Sequence, residues 1–201
     1  MEKDYIVNIK SNIQKIRETY SDFTSYRITL VKVLIPLLII VMGYYACSSS
    51  QRGIHQNMID IFNISDEIRS YYANKPDYWG LDTHFVAANK IIPNKFIRQN
   101  RIILSSGAEI FIGNGERAEQ VMPLSKSFDI ILRQQTKAQC ISYAETVLSK
   151  EQLLKINSIQ IINMIGQYTF EWGGKYQLPI KKYATKDICI DGANTLIWSI
   201  K

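Results

Sequence analysis

The chain has 201 residues, of which 46% are hydrophobic and 11% aromatic, enough apolar content for one globular core and too little bias for a disordered or fibrous protein. Its net charge of +6 is scattered: Lys150, Lys155, Lys175, Lys181, Lys182 and Lys186 are interrupted by Glu151, Glu171 and Asp187. Nucleic-acid binding calls for a concentrated basic stripe with stacking aromatics, so no nucleic-acid partner is expected, and these lysines read as a solvated face with a weak attraction for acidic surfaces.

Residues 1–27 form a charged leader, and Ile28 to Cys47 is apolar, with no charge between Val33 and Ala46. That reaches the ~20 residues needed to cross a ~30 Å hydrocarbon layer, so residues 28–47 are expected to be a transmembrane helix. A cleaved signal sequence would have an apolar stretch of about 7–15 residues behind a short basic region, whereas 27 residues come first here. Lys3, Lys10, Lys15, Arg17 and Arg27 precede the segment, and only Arg52 lies between Ser48 and Glu67. An excess of Lys and Arg marks the cytoplasmic side, which puts the leader in the cytoplasm and residues 48–201 outside. Tyr44 and Tyr45 suit the outer interface, and as tyrosines they argue against a lipoprotein cleavage site before Cys47.

Beyond the segment, Ile54, Met58, Ile61, Phe62, Ser65, Ile68, Arg69 and Tyr72 recur at helical spacing, leaving Gln51, Asn57, Asp60, Asp66 and Glu67 for a polar face. One helix is therefore expected from about Ile28 to Ala73, kinked at Pro36 and stopped by Asn74-Lys75-Pro76-Asp77. Asp82 to Ile91 reads as a short helix with Phe85, Val86 and Ala88 inward. Ile102 to Leu104, Ala108 to Ile112 and Ser127 to Arg133 read as strands, the last alternating Phe128, Ile130 and Leu132 against Asp129 and Arg133. Gly113-Asn114-Gly115 is a turn signal. Ala138 to Leu148 reads as a helix and Asn194 to Ile200 as a closing strand, while Lys155 to Ile165 fits either.

Outside the cytoplasm Cys140 and Cys189 are candidates for a disulfide, against the alternative of two separate buried thiols. Catalysis is not expected. Ile112-Gly113-Asn114-Gly115-Glu116-Arg117-Ala118 loosely fits a dinucleotide fingerprint, but Pro123 interrupts any following helix and no second parallel strand is evident. Asp82-Thr83-His84 hints at a metal or general-base pair, yet His55 is the only other histidine. No cofactor or metal ligand set emerges.

Taken together, the leader, the apolar helix continuing into an amphipathic one, Ile68-Arg69-Ser70-Tyr71-Tyr72, and Tyr78-Trp79-Gly80-Leu81 before a short helix with Ile91-Ile92-Pro93 resemble a type IVb pilin. Ser106-Gly107-Ala108-Glu109-Ile110-Phe111-Ile112, Phe128-Asp129-Ile130-Ile131-Leu132 before Ala138-Gln139-Cys140, and Asp187-Ile188-Cys189 before Asn194-Thr195-Leu196-Ile197-Trp198 continue the resemblance in the same order. It implies an α+β fold, a long helix packed on an antiparallel sheet, with a bond from Cys140 to Cys189. It also implies a pilus subunit, with other pilin subunits, the inner membrane and the pilus assembly machinery as partners. The head would lie in the periplasm or on an extracellular pilus, and Lys32, Ile54, Met58, Ile61 and Ile68 would pack against neighbouring subunits.

Two positions depart from that family. Aligning Thr29-Leu30-Val31-Lys32 with its usual threonine, apolar pair and glutamate puts Arg27 where prepilins have the glycine at which they are cut, and Lys32 where they have the glutamate. Lys32 near the end of a span either snorkels to the interface or pairs with a carboxylate of a partner pilin. The same departures admit an uncleaved, membrane-anchored interaction domain that does not enter filaments.

Overall fold

The computed structural model describes residues 35–37 and 53–201. The leader, most of the apolar segment, Lys32, Cys47 and the residues flanking 35–37 that a kink at Pro36 would involve lie outside the described residues, residues 35–37 themselves being helical. Among the described residues no helix is long and apolar enough to cross a membrane.

The amphipathic stretch forms helix α1, residues 53–72, and it ends where expected, in turns at 73–77. Its buried stripe comprises Ile54, Met58, Ile61, Phe62, Ile64, Ser65, Ile68 and Tyr72, all but Ser65 in one hydrophobic core with residues of the sheet. Asn57 and Asp60 were expected on the polar face and are instead buried, at 2% and 1% exposure. They fall within the same helical stripe and find partners on other elements: Asp60 accepts from the Ser105 amide at 2.9 Å, and Asn57 Nδ2 donates to the Tyr143 hydroxyl, while Asn57 Oδ1 is buried without a partner among the described residues.

Helix α2 (Thr83–Ala88) starts at Asp82, whose carboxylate accepts from the Phe85 amide at 2.6 Å. Val86 and Ala87 face inward, not Ala88, and the helix is shorter than the expected span to Ile91. Strands β1 (Ile97–Arg98) and β2 (Arg101–Ile103) form a hairpin across Gln99 and Asn100, both with positive φ. Strand β3 (Glu109–Gly113) follows, then β4 (Phe128–Gln135). At Gly113 a Cβ would stand 2.5 Å from the Glu119 carbonyl oxygen, so only glycine lets the returning loop close there.

Helix α3 (Lys137–Ala144) and helix α4 (Lys150–Lys155) each open with a reciprocal capping box, Thr136 with Gln139 and Ser149 with Gln152. The ambiguous stretch beginning at Lys155 resolves into the end of α4 and strand β5 (Ile156–Asn163), which pairs with β6 (Gly166–Glu171). Strand β7 (Tyr176–Gln177) lies parallel to β6, and β8 (Asn194–Ile200) closes the chain.

The order in the sheet is β1-β2-β3-β4-β8-β5-β6-β7, antiparallel except for the last pair, giving an α+β fold. The carboxy-terminal strand is thus central, between β4 and β5. Leu196, Trp198 and Ile200 join Phe128, Ile130 and Leu132 in the core, as the alternation predicted. The other face is buried too, at Ile131 and Ile197, and at Asp129 and Ser199, which are cross-strand partners. Alternation therefore misses half of β4: a central strand covered on both sides has no solvent face to keep polar.

Candidate functional site

The carboxy-terminal part of the head is held by polar ties around one covalent link. Cys140, in α3, is bonded to Cys189 across a Cα separation of 5.9 Å, and both are buried. The segment between β7 and β8 has no regular structure, yet three side chains fix it. Glu145, at the end of α3, accepts from the Tyr183 amide at 2.9 Å and from the Thr185 amide and hydroxyl at 3.0 and 2.7 Å. Burial alone would raise the Glu145 carboxyl, but these bonds and the nearby Lys182 charge bring it below its ordinary value. Asn163 donates to the Ile188 carbonyl at 2.9 Å.

Asn194, fully buried at the start of β8, completes the set. Its Oδ1 accepts from the Ile190 amide at 3.1 Å and from Asn163 Nδ2 at 3.2 Å. Its Nδ2 donates to the carbonyls of Gln135 and Ile190, each at 2.9 Å, and to that of Gly192 at 3.3 Å. One amide therefore joins β4, β5 and the segment carrying Cys189.

Ile54, Met58, Ile61 and Ile68, the stripe expected to meet neighbouring subunits, point into this chain's own core at 9%, 3%, 0% and 0% exposure. The outward face of α1 carries His55, Gln56, Ile59, Asn63, Asp66, Glu67, Ser70 and Tyr71. At its far end Tyr71, Tyr72, Tyr78 and Phe128 form a run of ring contacts with centroids 4.9 to 5.3 Å apart. Lys75 lies 3.9 Å over the Tyr71 ring. Burial, with the nearby Tyr71, Asp82 and Asp77, pushes the Tyr72 hydroxyl up to about 12.

A groove of about 790 Å³ opens beside the first turn of α1, between the α3–α4 connection and the segment following the cis Leu178–Pro179 peptide. Ile54, Ile141, Leu148, Leu153 and Ile180 supply apolar wall, and His55 and Lys182 lie among its polar lining. Val147 at 95% exposure and Leu154 at 58% stand on the elements around it.

The glycine motif does not lead into a helix: Gly113 ends β3, Gly115 takes a φ of 67°, and Asn114 bridges back to Glu119. The Gly115 amide donates to Asp129 at 2.7 Å, so the loop caps a buried carboxylate of its own chain. Asp82 is committed as a helix cap, and His84 and His55 are exposed on separate helices. Lys32 lies outside the described residues. Asn194 and Glu145 carried no advance signal, because a polar residue beside a strand or at a helix end is ordinary until the distant partners are known.

No curated protein and no solved structure matches the chain. The family model described as Bundlin matches residues 46–192, nearly three quarters of the chain. A helix in the core of an antiparallel sheet and the bond from Cys140 to Cys189 agree with what the pilin resemblance implies, and the chain belongs to the Bundlin family, the type IV pilin-like family of the bundlin of type IVb pili.

Proposed function

We propose that the chain is a type IVb pilin-like subunit that contributes to a type IV pilus or its assembly by packing against other pilin subunits. Residues 28–47 anchor it in the inner membrane, the leader stays in the cytoplasm, and the head faces the periplasm and, after assembly, the exterior. The family match over residues 46–192 carries this reading. In it, Ile54, Met58, Ile61 and Ile68 act on subunit packing by fixing α1 to the head, which presents the outward face of the helix, with Ile59 and Tyr71, to a neighbour. Lys32 supplies either an interfacial anchor or a cation for a partner carboxylate.

Arg27 and Lys32 at the positions of the usual glycine and glutamate favour a second reading, an uncleaved anchored domain that engages other envelope proteins without entering filaments. The intact mass of the protein from membranes and from sheared filaments separates the two. A species cut near Arg27 and recovered in filaments is the expected result for a subunit. A full-length species confined to membranes would refute filament entry and leave the anchored domain.

A further inference from the structure

The groove beside Ile54 is built for an apolar surface rather than for a small polar ligand. A specific ligand pocket pairs apolar walls with a few convergent polar groups free to fix orientation. Here two of those groups are engaged within the chain: the Glu145 carboxylate holds Tyr183 and Thr185, and the Thr146 hydroxyl donates to the Ser142 carbonyl at 2.6 Å, which leaves His55 and Lys182 at the rim. What stands outward is hydrocarbon, at Val147 and Leu154.

The charge around the groove has a small basic excess. Lys182 lines it, and Lys150, Lys181 and Lys186 are exposed on the elements that form it. Among the described residues none of these four pairs with a carboxylate, whereas Lys155 is taken up by Asp66 at 2.7 Å. Glu151 and Asp187 are the exposed acids interspersed with them, and Glu145, which also lines the groove, has its carboxylate taken up by Tyr183 and Thr185, so the lysines are in excess by one. Exposed aliphatic side chains beside unpaired lysines complement an interface of acyl chains and anionic headgroups.

The chain itself limits where this surface can be. Six residues lie between Cys47, the end of the apolar segment, and Ile54, and the seven steps that join them span no more than ~25 Å when fully extended. We infer that the groove and its lysine rim dock on the anionic phospholipid bilayer in which the chain is anchored, with Val147 and Leu154 at the acyl boundary and Lys181 and Lys182 at the phosphates. The inference rests on the proposed anchoring by residues 28–47. Docking of this kind holds the head against the membrane and must be released before a subunit can leave it.

The test uses the full chain carrying Cys47→Ser and Val147→Cys, labelled at position 147 with an environment-sensitive fluorophore. It is reconstituted into vesicles of phosphatidylcholine alone or mixed with phosphatidylglycerol, with a label at Lys95→Cys as the control site. Docking predicts that the label at 147, and not that at 95, is blue-shifted and quenched by brominated acyl chains in the anionic vesicles. Replacing Lys181 and Lys182 by Gln should lower the ratio of docked to undocked heads about 25-fold, about fivefold for each lysine. Flotation of the same vesicles separates the two ideas. Chains that fail to float overturn both anchoring and docking, whereas chains that float with position 147 unquenched overturn docking alone. Shielding at 147 that follows the protein-to-lipid ratio and ignores lipid charge would place a second copy in the groove, and would also overturn docking.

Discussion

Replacing Asn194 with Ala tests whether a single amide holds the carboxy-terminal part of the head. The side chain is fully buried, and its loss strips partners from the Ile190 amide and from the carbonyls of Gln135 and Ile190. Asn163 Nδ2 keeps its bond to Ile188. A buried group left without its partner costs about 1–3 kcal/mol. Gln135 is buried at 8% exposure while Ile190 is only partly buried, which discounts the second group and leaves a total near 3 kcal/mol. For a head of this size that lowers Tm by about 6–12 °C. The assay is thermal unfolding of the oxidised full chain in detergent, followed by tryptophan fluorescence, because Trp198 lies on the same strand as Asn194. Nicking by a protease within residues 181–193 should increase in parallel. A loss below about 1 kcal/mol with unchanged nicking would refute the reasoning, since the disulfide and Glu145 would then suffice to hold the segment.

Cys140→Ser should leave Cys189 open to alkylation in oxidised protein and cost about 4 kcal/mol in a denaturant titration, from the loop of 49 residues that the bond closes; unchanged labelling would reject the pairing. Burial raises the Asp129 carboxyl above its ordinary 3.8 against the bonds it accepts from Gly115 and Ser199. The folded state therefore keeps its proton to higher pH than the unfolded chain, and the associated stability is full below 3.8 and lost as pH rises through the folded value. Asp129→Asn should flatten that decline, measured by denaturant midpoints across the acidic range. Ile61→Ala, at a fully buried position, should cost about 2–5 kcal/mol, whereas Ile59→Ala on the outward face should cost under about 1 kcal/mol. Equal losses in chemical denaturation would contradict the assigned orientation of α1.

Periodicity located α1, β3, β4 and β8 because each is longer than a turn and each carries a regular apolar rhythm. The cores at Ile61, Ile130 and Trp198 follow directly from that rhythm. It failed where burial is two-sided or polar: Asn57, Asp60 and Asp129 are inside with hydrogen-bond partners from other parts of the chain, and those partners are invisible in a local window. Strand β2 was expected, at Ile102 to Leu104, whereas β1 and β7 were missed because strands of two residues carry no period. Strand β6 was missed because its exposed Gln167 and half-buried Tyr168 and Thr169 hide the pattern. The groove was illegible for a different reason: its walls come from α1, the α3–α4 connection and residues 178–182, which only the fold brings together.

The two faces of α1 bear on what kind of subunit this is. A helix that buries its apolar stripe in its own sheet cannot also offer that stripe to a neighbour, so in the proposed packing any contacts along residues 53–72 would use a mixed surface of His55, Gln56, Ile59, Asn63, Glu67 and Tyr71. Such a surface contributes less hydrophobic energy per unit area than the stripe would, and depends more on matched polar partners. The larger share of association would then fall on the apolar segment before residue 48, where Lys32 replaces the expected glutamate. If, in the proposed reading, Lys32 pairs with a partner instead of snorkelling, the subunit would fit beside a neighbour with a free carboxylate at that depth, and such pairing would favour a place among other pilins over a filament of identical copies.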